Sequence, residues 1–269
     1  MHCRHLIKKG VVSITSCNLI ASFERVLTMP KLHLLMKKEE IDEEKMKDNK
    51  IAVVFDVLLA TSTITSGLYF GAKEVIPVLS GEAAQKEAEG RSPESYALVG
   101  EYEGVTIEGF LDPNPLKLKE AIKDKTMILS TTNGTVAINK ASEAEKVYIC
   151  SLLNGSAVAD TINRLHKDET LVVICSGSGG EFCIEDFYGA GYFLDCLLNN
   201  ADNQWNLTDA ALSALLFYRG NHEKSDEILL TSRVGQMLSK YGFEEEVQFV
   251  GKHGVLPIVP YLSGGKVVV

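Results

Sequence analysis

Ile51-Ala52-Val53-Val54-Phe55 is a run of five apolar residues closed by a carboxylate, Asp56, and followed shortly by the hydroxyl cluster Thr61-Ser62-Thr63. A continuous apolar run of this length reads as a strand buried on both faces, as in the interior of a parallel sheet. The pattern from Ser62 to Phe70 then reads as a helix ended by Gly71, and residues 75–79 as the next strand. Strand, loop, helix and strand in that order imply a right-handed crossover and hence an α/β fold.

Working outward, the alternation continues. A surface helix is expected from Gly81 towards Tyr96, a short strand over 97–100, a tight turn over 100–104, and an extended loop at Asp112-Pro113-Asn114-Pro115, where two prolines forbid helix. Further helices are predicted over 116–122, 136–141, 157–165 and 186–198, and strands over 127–129, 147–150 and 171–175. From Leu207 the character changes to a helical excursion, with helices over 209–218 and 232–240, and late strands over 255–259 and 266–269 that form a closing hairpin or edge strands. Met29-Pro30-Lys31-Leu32-His33-Leu34-Leu35 opens the first strand, and the charged run Lys37–Lys47 reads as a solvated face with no partner. The fold class is therefore α/β with a mainly parallel, mixed sheet, in a single domain over residues 29–269. Residues 1–28, which carry no acid before Glu24, are expected to be an extension without function, upstream sequence that a misplaced start codon would include.

The chain has 269 residues, 45% hydrophobic and 23% charged, which is ordinary globular composition with enough apolar material for a sizeable core. A formal net charge of −9 and only six scattered arginines exclude a nucleic-acid surface. No apolar run reaches the roughly 18 residues that span a bilayer, so no membrane partner is expected. The six cysteines form no C-x-x-C pair, and Cys150 and Cys175 sit within apolar strand-like runs, which points to reduced thiols and a cytoplasmic location. Self-association into a homo-oligomer is left open.

Three strand-end loops share one grammar. After Ile51–Phe55 come Asp56, Thr61 and Thr63; after Ile128-Leu129 comes Ser130-Thr131-Thr132-Asn133-Gly134-Thr135; after Leu171–Cys175 comes Ser176-Gly177-Ser178-Gly179-Gly180, then Glu185-Asp186. Small hydroxyls, an amide and approachable N–H groups at a strand mouth make an anion cradle. In an open α/β sheet ligands settle at the carboxyl ends of the strands, where all three loops fall. Each loop taken alone could be ordinary helix capping; three in phase point to one composite site. Asp56, Glu185 and Asp186 are the candidates for catalysis and for Mg²⁺ ligation. Thr131–Thr135 and Ser176–Gly180, with Thr61 and Thr63, are the candidates for holding a small anionic phosphorylated substrate. The glycine loop is too short for G-x-G-x-x-G and lacks the Lys of a P-loop. No zinc spacing and no Gly-x-Ser-x-Gly elbow is present. Leu58, two residues after Asp56, rules out the paired aspartates of the haloacid dehalogenase type.

With these residues in view, the chain resembles the 2-phosphosulfolactate phosphatase (ComB-type) family. The resemblance is carried by Val54–Leu58 with Ala60-Thr61-Ser62-Thr63, Gly71–Val78, Gly100-Glu101, Gly109-Phe110, Thr131–Thr135, Leu153-Asn154, Glu185-Asp186 and Gly189-Ala190-Gly191. It implies three α/β/α layers and a Mg²⁺-dependent hydrolysis of (2R)-O-phospho-3-sulfolactate, or of a closely related small phosphorylated hydroxy acid, with Glu101 added to the metal candidates. The alternative is a non-catalytic sensor that binds a phosphorylated or sulfonated metabolite. The chain departs from the family's pattern at Leu59, where an arginine is usual, at Tyr102, where a basic residue is usual, and at Asp112–Pro115, where Gly-Asn-Ser-Pro is usual. The loss of two anion-binding cations predicts weaker binding of phosphosulfolactate or a less charged substrate, unless another cation such as Arg219 or Arg233 takes their place.

Overall fold

The computed structural model describes residues 29–199 and 205–269, so the expected extension over 1–28, with Cys3 and Cys17, lies outside the described residues. The strands are β1 (Lys31–Leu35), β2 (Lys50–Phe55), β3 (Glu74–Val78), β4 (Tyr96–Tyr102), β5 (Val105–Thr106), β6 (Thr126–Ser130), β7 (Lys146–Cys150), β8 (Thr170–Cys175), β9 (Asn206–Leu207), β10 (Tyr261–Ser263) and β11 (Lys266–Val268). The helices are α1 (Glu43–Met46), α2 (Ala60–Tyr69), α3 (Gly81–Ala88), α4 (Pro115–Leu118), α5 (Gly134–Lys140), α6 (Gly155–Leu165), α7 (Ile184–Asn199), α8 (Asp209–Asn221), α9 (Ser225–Thr231), α10 (Arg233–Lys240) and α11 (Glu244–Val250).

The described strands form one mixed sheet in the order β5-β4-β6-β3-β11-β10-β7-β2-β8-β1-β9. Two blocks, β4-β6-β3 and β7-β2-β8-β1-β9, are each parallel within themselves, and the three antiparallel pairings β3–β11, β11–β10 and β10–β7 between them set one block in the opposite sense to the other. With both faces of the sheet covered, period-2 alternation explains why Ile51–Phe55 of β2 and Leu171–Cys175 of β8 are apolar throughout. Ile51, Val53 and Phe55 enter the core on one face with Leu171, Val173 and Cys175. Ala52 and Val54 enter the core on the other face with Val172 and Ile174. A core on each face, covered by helices, gives the three layers.

The C-terminal hairpin departs from expectation. It closes neither edge; β10 pairs antiparallel with β7 and β11 with β3, so the hairpin joins the two parallel blocks in the middle of the sheet. The strand expected over 255–259 is irregular chain. Pro257 lacks an N–H for a ladder, which accounts for this. The helix expected over 116–122 is only the turn of α4 over Pro115–Leu118, capped by the Asn114 side chain on the N–H groups of Leu116 and Lys117. The turn expected over 100–104 is instead strand to Tyr102, with the reversal at Glu103 and Gly104, both at positive φ (51° and 83°), into β5. That extension places Glu101 on the strand. The run from Lys37 was expected to be solvated without a partner, but Lys38 is buried: its N–H donates to the Ser176 carbonyl (3.1 Å) and its ammonium to Asn133 Oδ1 (2.8 Å). Among the described residues no helix is long and apolar enough to cross a membrane. The described cysteines, Cys150, Cys175, Cys183 and Cys196, are free thiols.

Candidate active site

The loops that follow the adjacent parallel strands β2 and β8 meet the hydroxyl-rich loop that follows β6 in the other block. There they border a cavity of about 420 Å³, of a size suited to a small molecule. Asp56 and Leu58–Ala60 come from the β2 loop, Thr131–Asn133 from the β6 loop, and Ser178 and Gly179 from the β8 loop. The cavity is completed by Glu101, Glu103, Thr106 and Asp112 near the β4–β5 hairpin, and by Arg233, Met237 and Phe243 from the helical excursion.

Asp56 follows directly on the buried β2 and is 7% exposed. Thr61 fixes its backbone: the Thr61 hydroxyl accepts from Asp56 N–H (3.0 Å) and donates to Asp56 C=O (2.9 Å). On the side chain, Oδ1 accepts, among the described residues, only a long bond from Ala60 N–H (3.4 Å). Gly134 lies against the other oxygen, where a Cβ would come within 2.6 Å of Oδ2. Burial, followed by the charge of Glu101 and then of Glu185, raises the Asp56 carboxyl to about 7, against the pull of Ala60 N–H and of Lys38. Glu101 accepts from Thr132 N–H (2.7 Å), the Thr132 hydroxyl (3.1 Å) and Gly104 N–H (2.7 Å), so it ties the hairpin to the β6 loop.

The other candidates divide into lining and supporting groups. Thr131 and Thr135 staple the β6 loop reciprocally, each hydroxyl accepting the other's N–H at 3.2 Å. Thr63 donates to the Pro113 carbonyl (2.6 Å) and is wholly buried, so it holds the proline loop rather than facing the cavity. Asp186 clamps two loops together, its Oδ1 on Val57 N–H (2.8 Å) and its Oδ2 on Gly177 N–H (3.0 Å). Burial first, then the charges of Asp56 and Glu185, pushes its carboxyl well above the usual range. Glu185 is buried and likewise raised by burial, while hydrogen bonds from Ser232 and Cys183 pull it down. Gly177, Gly179 and Gly180 all take positive φ (64°, 60° and 76°), a left-handed run that only glycine adopts without strain. Within that loop the Gly180 carbonyl accepts from Lys37 Nζ (2.8 Å), and the buried Ser176 hydroxyl has no partner among the described residues. Of the four carboxylates expected to ligate metal, Asp56 and Glu101 line the cavity, while Glu185 and Asp186 support its walls. Among the described residues no three His, Cys, Asp or Glu side chains converge as a ready metal cage.

Sequence reasoning alone missed Lys38, hidden in a charged run, together with Glu103, Met237 and Phe243. Two lysines directly after a strand were the available signal for Lys38. Arg233 and Arg219 separate here: Arg233 lines the cavity, whereas Arg219 pairs with Asp195 (2.7 Å) and does not.

Comparison with known proteins adds the chemistry. The 2-phosphosulpholactate phosphatase family matches residues 35–265. The chain is 38% identical over 239 residues to a protein of Clostridium novyi (strain NT) named "Probable 2-phosphosulfolactate phosphatase", covering 88% of this chain and 99% of that one. A protein of the same name from Clostridium acetobutylicum is 36% identical over 239 residues, covering 88% of this chain and 99% of the relative. One from Symbiobacterium thermophilum is 37% identical over 221 residues, covering 81% and 94%. An α/β sheet whose strand ends carry carboxylates and hydroxyl- and glycine-rich loops, in a chain with these relatives, defines a phosphoric monoester hydrolase. Within that class the chain belongs to the 2-phosphosulfolactate phosphatase family.

Proposed function

We propose that the chain is a Mg²⁺-dependent phosphatase that hydrolyses (2R)-O-phospho-3-sulfolactate to 3-sulfolactate and inorganic phosphate. The observation that carries this reading is the buried Asp56 carboxylate on a cavity of about 420 Å³ bordered by hydroxyls and backbone N–H groups. The relatives' names supply the substrate.

The donor set suits a hard divalent cation. Asp56 and Glu101 offer carboxylate oxygens on one cavity, and burial and repulsion that hold Asp56 at about 7 would be relieved by a cation there. Mg²⁺ ordinarily takes one or two carboxylates and completes its shell with water and phosphate oxygens, so a cage of three or more acids is not required. Asp56 and Glu101 would hold the ion, which when bound would offset phosphate charge and acidify a water.

The chain's own groups do the rest. The N–H groups of Asn133 and Gly134 open α5 and have no acceptor within that helix, so they are placed to receive phosphoryl oxygens. Lys38, held by Asn133, brings positive charge close enough to pull on Asp56. Hydrolysis breaks the P–O ester bond, adds water oxygen to phosphorus and returns a proton to the leaving alkoxide. The free thiols support a cytoplasmic location as part of the same reading. The test is phosphate release from phosphosulfolactate by protein stripped of metal with EDTA: Mg²⁺ should restore turnover, and turnover undiminished by EDTA would refute the metal dependence.

A further inference from the structure

Five charged residues line the cavity: Asp56, Glu101, Glu103, Asp112 and Arg233. Arg233 is thus the one cation among the described lining residues. It stands at the first position of α10, exposed, with an Nη2 donor given to the Ser178 carbonyl. Its guanidinium also lies beside Gly179, where a Cβ would meet Nη1 at 3.9 Å and Nη2 at 4.0 Å. The bond to Ser178 fixes the plane of the fork while other N–H donors remain. Leu59, on the same cavity, supplies no charge. The cavity thus carries a buried acid, Asp56, and an exposed cation, Arg233.

We propose that Arg233 is the specificity-determining residue for the substrate's sulfonate. This rests on the phosphatase reading above, and it follows from charge and from the length of the substrate. The phosphorus belongs beside Asp56, where the carboxylates of Asp56 and Glu101 can hold a cation. In 2-phosphosulfolactate the carboxylate is one bond nearer to phosphorus than the sulfonate, which sits at the far end of the three-carbon chain. A sulfonate placed among Glu101, Glu103 and Asp112 alone would be repelled; at Arg233 it meets a planar fork that two of its oxygens can accept from together. The Ser178–Gly179 segment bordering Arg233 carries no bulky side chain and leaves room for that group.

The test uses the full chain and two paired ligands that differ only in the sulfonate. For turnover, Arg233→Ala should lower kcat/KM on 2-phosphosulfolactate about ten- to a hundredfold more than on 2-phospholactate, the scale of lost charge-assisted hydrogen bonds, with the fall mainly in KM. Arg233→Lys, which keeps the charge but loses the fork, should recover only part of that discrimination. For binding, calorimetry with 3-sulfolactate and with lactate reads the same site without phosphate: wild type should prefer 3-sulfolactate, and Arg233→Ala should not. Equal losses on both substrates, or an unchanged preference for 3-sulfolactate in Arg233→Ala, would overturn the assignment. Absence of turnover in wild type would sink the phosphatase reading instead, and the binding arm would still decide the role of Arg233.

Discussion

Gly134→Ala tests the geometry of the site with a single carbon. A Cβ at residue 134 would lie 2.4 Å from Ala60 Cβ, 2.6 Å from Asp56 Oδ2 and 3.0 Å from Asp56 Cβ. Carbon atoms in contact normally sit about 3.5–4.0 Å apart, so the new methyl is about 1 Å or more too close to the short side chain of Ala60, and it also crowds Asp56. Something must move by about that much: the start of α2, the start of α5, or the Asp56 carboxylate itself. Overpacking of this kind costs about 1–3 kcal/mol, or roughly 2–12 °C in Tm for a domain of this size. A 1 Å misplacement of a reacting group costs about 10²-fold in rate. Helix propensity acts in the opposite direction, because alanine is the better helix former, so a loss must come from crowding. Gly67→Ala is the control: its Cβ would meet Met127 Cε at 3.0 Å, the far end of a flexible side chain away from the cavity. Thermal unfolding and phosphate release on both variants decide. A Gly134→Ala protein with kcat and Tm matching wild type would refute the placement of Asp56 against the start of α5.

Leu59→Arg adds a second guanidinium to a cavity that Arg233 already supplies; it should improve KM for phosphosulfolactate by less than the roughly tenfold that a first such contact contributes, measured side by side with wild type. Lys38→Met removes a buried ammonium from Asn133 and from the neighbourhood of Asp56, so stability and kcat should both fall, the former by about 1–3 kcal/mol as judged by denaturant titration. Asp56 is raised from 3.8 to about 7 in the folded chain, so its contribution to stability is present below the unfolded value and is lost as pH rises through about 7. Added Mg²⁺ should therefore raise Tm much more at pH 8 than at pH 5.5, where protons compete for the carboxylate, and Asp56→Asn should abolish that difference; equal Mg²⁺ shifts at both pH values would contradict the metal assignment.

The central strands were legible because they are buried on both faces: Ile51–Phe55 and Leu171–Cys175 are unbroken apolar runs with little competing interpretation. The loops that follow them were legible for the complementary reason, since an abrupt change to Thr, Asn and Gly at a strand end is itself a local signal. The C-terminal hairpin was not. Its strands are only three residues long, and their place between β3 and β7 is set by partners more than a hundred residues earlier in sequence, on which local pattern is silent. Lys38 was hidden because buried and solvated lysines look alike in sequence; only the approach of α5 makes Asn133 its partner. Arg233 was open to suspicion as one of few arginines, but choosing it over Arg219 required the packing of α10 against the β8 loop. Asp186 illustrates a further limit. An acid at a helix start can serve a ligand or the backbone, and here both its oxygens hold backbone N–H groups across two loops.

The account stands on Asp56 as the group around which the chemistry is organised, and the measurement that reaches it most directly is Mg²⁺-dependent phosphate release from 2-phosphosulfolactate by wild type and by Asp56→Asn. The substitution keeps size and removes charge, so the two proteins should show the same fold by circular dichroism. The predicted result is turnover in wild type and a loss of at least about 10²-fold in kcat in the variant, the scale of one positioned catalytic group. Near-normal turnover by Asp56→Asn, or tight binding of phosphosulfolactate by wild type with no phosphate released, would contradict it.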